Sequence, residues 1–97
     1  MKMAEIKGIA YVWVFNGLKG RFPSAVFSTK KRATEWIQTN RLSGTLTQYP
    51  VDLSAYDWAV KAGMFTPSQD KHKSTEFIGR FTSASQAHFH FEEGTEG

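Results

Sequence analysis

The sequence predicts a single α+β domain, with an antiparallel sheet of about four strands and two helices packed on one face. Three observations support this prediction. The 97 residues suit one domain, and a composition of 40% hydrophobic and 14% aromatic residues is typical of a globular one. Four segments show the apolar clustering or alternation of strands, and two repeat apolar residues at helical spacing. Turn residues separate these segments, in the order ββαβα followed by a late strand.

The sequence of residues 9–27 predicts a β-hairpin. Residues 9–15 are rich in β-branched and aromatic side chains, which is typical of a buried strand. The turn signal Asn16-Gly17 follows this segment, and residues 25–27 form the next apolar stretch. We therefore expect these two strands to pair antiparallel, joined by a loop of intermediate length.

Two helices are expected, each with a polar residue that caps its first turn. Ser28 or Thr29 would begin the first helix, which runs to about Asn40. Ser54 would begin the second helix, and Gly63 would end it. Apolar residues at helical spacing give each helix one buried face. The expected buried residues are Ala33, Trp36 and Ile37 in the first helix, and Tyr56, Ala59 and Val60 in the second.

The remaining segments predict two strands, a loop and one ambiguous stretch. Residues 45–51 alternate as a third strand, and Pro50 must lie near a strand end or on an edge because it has no N–H for the ladder. Residues 66–74 are polar and predict a loop, whereas residues 76–81 fit either a helical turn or a short strand. Residues 86–92 alternate cleanly and predict a strand with one wet face.

The whole chain, residues 1–97, is expected to form one domain. Residues 1–8 predict a polar lead-in, residues 9–92 carry the ordered core, and residues 93–97 form an acidic tail. The longest apolar run is too short to cross a membrane, and the N-terminus lacks the apolar region of a signal peptide. The chain also has no cysteine. We therefore expect a cytoplasmic protein that does not bind a membrane.

Charge is distributed unevenly along the chain. The net charge is +3, yet the first 48 residues carry eight basic and two acidic side chains, whereas the other 49 carry four and seven. Such asymmetry indicates either a nucleic-acid face or a helix with a basic solvated side. Five cations of the hairpin loop and the first helix would form the nucleic-acid patch. They are Lys19, Arg21, Lys30, Lys31 and Arg32.

No coherent catalytic set is present in the sequence. The chain lacks cysteine and a Gly-x-Ser-x-Gly elbow. Residues 17–20 lack the Gly-Lys-Ser/Thr ending of a phosphate-binding loop. Asp57 is explained as a helix N-terminal residue rather than as half of a carboxylate pair. We therefore expect a protein that is not an enzyme and that holds no cofactor.

The last predicted strand also contains candidate ligands for a metal ion. His88 and His90 alternate with phenylalanines, so both imidazoles are expected on the wet face of this strand. Glu92 or His72 would complete a three-ligand site for zinc or nickel. The same alternation also occurs in half-exposed aromatic strands that bind no metal, and this second interpretation is the preferred one.

The leading functional prediction is a protein-binding module, because the sequence predicts a well-formed small core and contains no coherent reactive site. Five residues belong to types that anchor interfaces when exposed and otherwise pack in cores: Arg21, Phe22, Trp58, Met64 and Phe65. Core packing is the preferred interpretation for Trp58, which lies one position from the buried stripe of its helix. The expected partner is an unidentified protein, in an immunity or inhibitor role of bacterial or phage conflict. An open edge on the last strand would also allow a homodimer by sheet extension. A nucleic-acid-associated protein that uses the basic patch is the alternative.

Six short motifs are spread over most of residues 11–94. They are VWVFNG at 12–17, VFS at 26–28, Ala33 with Trp36-Ile37, YPVD at 49–52, YDWA at 56–59 and FIGRFTSASQ at 77–86. Together they resemble a family of small stand-alone bacterial or phage proteins of unknown function. The resemblance implies an α+β fold and a bacterial or mobile-element source, and it transfers no catalytic residue. Ala25 stands where this family pattern leads us to expect glycine.

Overall fold

Five strands and three α-helices follow one another along residues 6–97, the part of the chain that the computed structural model describes. The elements are β1 (Tyr11–Gly17), β2 (Ala25–Phe27), α1 (Lys30–Thr39), β3 (Gly44–Pro50), α2 (Ala55–Lys61), α3 (Thr75–Arg80), β4 (His88–Glu92) and β5 (Thr95–Glu96). A short 3₁₀ helix, Asp70–Lys73, lies between α2 and α3. Residues 1–5 of the predicted lead-in lie outside the described residues.

The strands form one antiparallel sheet in the order β2-β1-β3-β4-β5. In β1, Trp13 lies opposite Phe27 of β2 on one side and opposite Gln48 of β3 on the other. The predicted hairpin is therefore confirmed, and so is the α+β class. The sheet has five strands where about four were expected, and a third helix joins the expected two. Pro50 is the last residue of β3, where its missing N–H interrupts no ladder.

Helix α1 packs on the sheet through the apolar residues that its spacing predicted. The Thr29 hydroxyl caps it by accepting a hydrogen bond from the Arg32 N–H at 3.1 Å. Ala33 and Ile37 are fully buried, and Trp36 lies half-buried at the side of this stripe. The predicted amphipathic helix is therefore confirmed.

The main core fills the space between α1 and the inner face of the sheet. The sheet contributes Trp13 and Phe15 from β1, Leu46 from β3 and Phe91 from β4. Trp36 of α1 closes one side, with its ring centre 5.6 Å from that of Phe15 in an edge-on arrangement. Alternate residues of the same strands form the opposite side of the sheet, which we call the outer face. The outer face carries Val12, Val14, Asn16, Val26, Thr45, Thr47, Tyr49, His88, His90 and Glu92.

Helix α2 begins and ends where the sequence predicted. The Ser54 hydroxyl accepts a hydrogen bond from the Asp57 N–H at 2.9 Å, as a helix cap should. Gly63 follows the helix with a φ of +75°, which is the left-handed conformation that glycine adopts most easily.

The buried face of α2 differs from the predicted one. Tyr56 and Ala59 are buried as expected, but Val60 is 38% exposed and Trp58 is only 2% exposed. The prediction for Val60 was therefore wrong. The larger indole removes more apolar area from water, and its N–H finds an acceptor in the Tyr11 hydroxyl at 3.1 Å.

A second apolar cluster, built mainly from aromatic rings, lies on α2, the 3₁₀ helix, α3 and the residues that follow α2 and α3. Ring centres in contact are 5.0 to 6.2 Å apart. Its members, which we call the ring cluster, are Tyr56, Phe65, His72, Phe77 and Phe81. The ambiguous residues 76–81 fall largely in α3, which Ser74 caps, so Phe77 projects from this helix and Phe81 directly follows it. The predicted polar loop at 66–74 contains the 3₁₀ helix.

The expected acidic tail is part of the sheet. Strand β5 pairs antiparallel with the end of β4. Gly94 makes the turn with a φ of +87°, and its N–H donates to the Leu42 carbonyl at 2.8 Å. The edge of the last predicted strand is therefore partly covered, and β2 and β5 are the outermost strands of the sheet. A homodimer through a sheet edge stays a prediction.

Candidate functional site

The outer face is the more accessible side of the sheet. Most inner-face residues of the three central strands are buried, whereas outer-face residues are half-buried or exposed. Residues 82–84 border this face at β3 and β4 and leave a groove of 260 Å³. Surface for a ligand or partner is therefore available on this side.

The register of the strands places apolar side chains on one part of the outer face and histidines on another. Val26 lies opposite Val14, and Val14 lies opposite Thr47. Thr47 in turn lies opposite His88. This cross-strand row runs from apolar residues at the β2 edge to histidine on β4, so a partner would meet different chemistry at the two ends.

The β1–β2 hairpin exposes three large apolar side chains. Leu18 is 72% exposed, Phe22 is 73% exposed and Val26 is 62% exposed. Other exposed large apolar residues of the described chain lie between 37% and 47%. Exposed apolar residues that gather in one region are typical of binding surfaces. We call these three residues the hairpin surface.

Backbone hydrogen bonds fix the loop that carries the hairpin surface. The Leu18 N–H donates to the Ser43 carbonyl at 3.0 Å, which ties the loop to the segment before β3. The Gly20 N–H donates to the Gly17 carbonyl at 2.9 Å and closes a turn. The Ser24 N–H donates to the Phe15 carbonyl of β1 at 2.9 Å. The loop is therefore held at both ends and in its middle.

Two of the predicted basic residues and one predicted anchor lie in this same loop. Lys19 and Arg21 are exposed, and Lys19 has a φ of +67°. The Arg21 guanidinium carbon lies 5.6 Å from the centre of the Phe22 ring, within the range of a cation–π contact. Arg21 therefore contacts its sequence neighbour Phe22, and the loop that carries Leu18 and Phe22 also carries two positive charges.

The other predicted basic residues follow β2, so this strand separates them from the hairpin loop. The Lys30 ammonium lies 3.4 Å from the centre of the Phe89 ring and 3.3 Å from the Glu96 carboxylate. Lys30 therefore fastens the start of α1 to β4 and β5. Lys31 and Arg32 are exposed on the first turn of α1. The five cations therefore belong to two elements, the hairpin loop and the first turn of α1.

The remaining predicted protein-binding residues lie elsewhere. Met64 is 47% exposed just after α2. Phe65 is half-buried in the ring cluster, where its ring centre lies 5.0 Å from that of Phe81. Phe65 therefore contributes to packing, and Met64 stands apart from the hairpin surface.

The three candidate metal ligands of the last strand share the outer face but do not assemble. Within residues 6–97 no group of three or more His, Cys, Asp or Glu side chains lies close enough to hold one ion. Four residues of extended strand span about 13 Å between His88 and Glu92, so the structure does not bring Glu92 to the two histidines. The His72 ring lies in the ring cluster, against Phe65 and Phe77, and is not grouped with the two histidines of β4. His88 and His90 remain neighbours, with ring centres 5.5 Å apart.

Sequence reasoning missed Leu18, Val26 and a groove beside α3. The groove has a volume of 630 Å³, with Phe77 and Phe81 among its lining residues. Arg80 lies at the same groove, and its guanidinium is engaged by Glu76 at 2.6 Å. The sequence signal that could have indicated the exposed apolar surface of the hairpin is Leu18, because it directly follows the Asn16-Gly17 turn.

These features define a small α+β domain with a helix on one sheet face, an accessible opposite face and an apolar hairpin. The chain belongs to the family of domains of unknown function DUF7710, which matches residues 12–97. This match confirms the predicted membership of a family of small proteins of unknown function. No similar curated protein and no similar solved structure was found. In the described part of the chain, no helix has the length and apolar character needed to span a bilayer.

Proposed function

We propose that this protein is a non-enzymatic binding module whose β1–β2 hairpin docks on another protein. The observation that carries the proposal is the exposure of Leu18 and Phe22, each above 70%. Burial of such a side chain at an interface contributes about 1.5–3 kcal/mol relative to leaving it in water. A partner would therefore gain most of its binding energy from a few residues of this loop.

The fixed shape of the loop supports the same proposal. Its backbone is tied to Gly17, Ser43 and β1, so a partner meets a largely ordered surface. Binding then has less conformational entropy to overcome than binding by a disordered loop. Val26 extends the apolar surface onto the edge strand β2.

The charges of the loop indicate the chemistry of the partner. Lys19 and Arg21 lie in the same loop as Leu18 and Phe22, so the complementary surface would be an apolar pocket with acidic residues beside it. An immunity or inhibitor protein of bacterial or phage conflict acts by covering such a surface. That role and a cytoplasmic location belong to the proposal.

The test is affinity capture from nuclease-treated lysate of the native host, with bound proteins quantified by mass spectrometry. A double variant, Leu18→Ser with Phe22→Ser, is expected to lower the amount of the main bound partner by about tenfold or more, because loss of 1.4 kcal/mol already weakens binding tenfold. Wild-type protein is expected to retain that partner in stoichiometric amount.

A matched control replaces two exposed apolar residues away from the hairpin, Val60→Ser with Met64→Ser. This control is expected to retain the partner, because these residues lie at and after the end of α2. Equal loss of the partner in both double variants would contradict a role for the hairpin. A partner that both variants retain at wild-type level would contradict it as well.

A nucleic-acid-associated function is the alternative, and the exposure of Lys31 and Arg32 at the start of α1 supports it. It predicts binding to a short labelled duplex or single strand that weakens steeply between low and physiological salt, because phosphate contacts release counterions. The double charge reversal Lys31→Glu with Arg32→Glu is expected to abolish that binding. Fluorescence anisotropy measures it, and an affinity indifferent to salt would contradict this alternative.

A further inference from the structure

Two histidines stand side by side on the outer face of β4. His88 and His90 are both exposed, and their ring centres lie 5.5 Å apart with ring planes at 88°. They face the groove side of the sheet, where Thr45 and Thr47 lie opposite them on β3. Their proximity follows from the period of a strand, which puts residues two apart on the same face.

A hydrogen bond determines the tautomer of His88. Its Nδ1 lies 2.8 Å from the carbonyl oxygen of Gln86. A carbonyl only accepts, so Nδ1 carries the hydrogen, and in the neutral ring Nε2 keeps a free lone pair. Histidine ligands of metal ions are commonly oriented by such a bond from the other ring nitrogen.

The residue that supplies this carbonyl is itself fixed. Gln86 is only 3% exposed. Its side-chain oxygen accepts from the Ser83 N–H at 3.0 Å, and its amide nitrogen donates to the Gln48 carbonyl at 3.2 Å. The His88 ring is therefore oriented by a buried anchor, whereas the His90 Nδ1 has a longer contact of 3.4 Å with the Thr45 hydroxyl.

The spacing of the rings matches chelation of one ion. Zinc lies about 2.0 Å from a histidine nitrogen, and two imidazoles bound at a tetrahedral angle have ring centres about 5 Å apart. The observed 5.5 Å between His88 and His90 differs little from this value. The two rings therefore lie at a separation that one shared ion requires.

We propose that His88 and His90 form a two-histidine site for a divalent transition-metal ion of the zinc, nickel and copper class. The remaining coordination positions are taken by water. A groove of 260 Å³ lies beside His88, and its lining includes the hydroxyl groups of Thr45, Thr47 and Thr82. These hydroxyl groups are hydrogen-bond partners for the bound water. Imidazole ligands suit these ions rather than magnesium or calcium. This site is independent of the hairpin and does not rest on the proposed binding function.

Calorimetric titration of the full chain with zinc chloride, and separately with nickel chloride, tests the proposal. Wild-type protein is expected to bind one ion per chain. His88→Gln and His90→Gln are each expected to weaken binding by more than about tenfold, since even loss of an outer partner of a ligand costs 10–100-fold. His72→Asn is the matched control, because it removes the third histidine and its side-chain oxygen can still accept a backbone hydrogen bond. This control is expected to bind like wild type.

Imidazole NMR spectra supply a readout that does not depend on the variants. Added zinc is expected to shift the ring signals of His88 and His90 and to leave those of His72 unchanged. Binding that survives both glutamine substitutions would overturn the proposal. So would the absence of heat and of ring shifts at millimolar zinc.

Discussion

Gly44→Ala is expected to unfold the domain, or to lower its free energy of unfolding by more than about 4 kcal/mol, which is at the extreme of single substitutions. A Cβ at this position would overlap the carbonyl oxygen of Asn16 and lie 2.8 Å from the Phe15 ring. The φ of Gly44 is +154°, a conformation that L side chains rarely adopt. The strand cannot easily shift, because this residue pairs with Gly17 on one side and with Phe91 on the other.

Gly79→Ala is the matched control for this prediction. Gly79 lies in α3, and a Cβ there meets no atom within 4 Å. Alanine is favoured over glycine inside a helix, so this variant is expected to gain up to about 1 kcal/mol. Urea denaturation followed by circular dichroism measures both variants. A Gly44→Ala protein as stable as wild type would contradict the close pairing of β1 with β3.

The elements that the sequence predicted are those whose signals lie within a few neighbouring residues. Thr29 caps α1 through a residue three positions later, and Ala33 and Ile37 repeat at the spacing of one helical turn. Gly63 ends α2 by its own backbone conformation. Short-range chemistry of this kind can be recognised without knowledge of the partner strands.

The elements that the sequence did not predict depend on residues far away along the chain. Strand β5 has two residues, and its turn is held because the Gly94 N–H donates to Leu42, which lies before β3. Lys30 meets Phe89 and Glu96, roughly 60 residues further along the chain. No local pattern contains such pairings, because they arise only when the sheet has assembled.

The candidate surface was predicted in part for the same reason. Residue type alone pointed to Arg21 and Phe22, and the structure places both on the hairpin loop. Leu18 was missed although it directly follows the Asn16-Gly17 turn signal, because an apolar residue type does not by itself indicate that its side chain is exposed. Phe65 has the same apolar character as Phe22, yet it packs in the ring cluster. Composition therefore identifies candidate anchors, and packing decides which of them a partner can reach.

Helix α2 contacts both the ring cluster and strand β1. Its Tyr56 ring belongs to the ring cluster, with its centre 5.5 Å from that of Phe81. Two residues later, Trp58 donates its indole N–H to the Tyr11 hydroxyl on β1, 3.1 Å away. The same hydroxyl accepts the Ile6 N–H at 2.8 Å. Docking of α2 therefore depends on one buried tryptophan and one tyrosine.

Trp58→Ala is expected to lower the free energy of unfolding by about 3–5 kcal/mol, the usual cost of removing a large buried aromatic side chain. Trp58 is 2% exposed, so its loss leaves a cavity between α2 and the sheet. In a domain of this size such a loss lowers Tm by more than about 12 °C, because each kcal/mol corresponds to about 4–8 °C. Differential scanning calorimetry measures the shift.

Two conservative variants separate packing from hydrogen bonding at this position. Tyr11→Phe removes the acceptor and leaves the buried indole N–H of Trp58 without its partner, which costs about 1–3 kcal/mol. Trp58→Phe keeps an aromatic ring in the same space and removes the donor, so it is expected to cost less than Trp58→Ala. A Trp58→Ala protein within 1 kcal/mol of wild type would show that α2 is not docked on the sheet. Equal losses for Trp58→Phe and Trp58→Ala would instead assign the stability to the hydrogen bond, since the two variants share the loss of the indole donor and differ in the volume they fill.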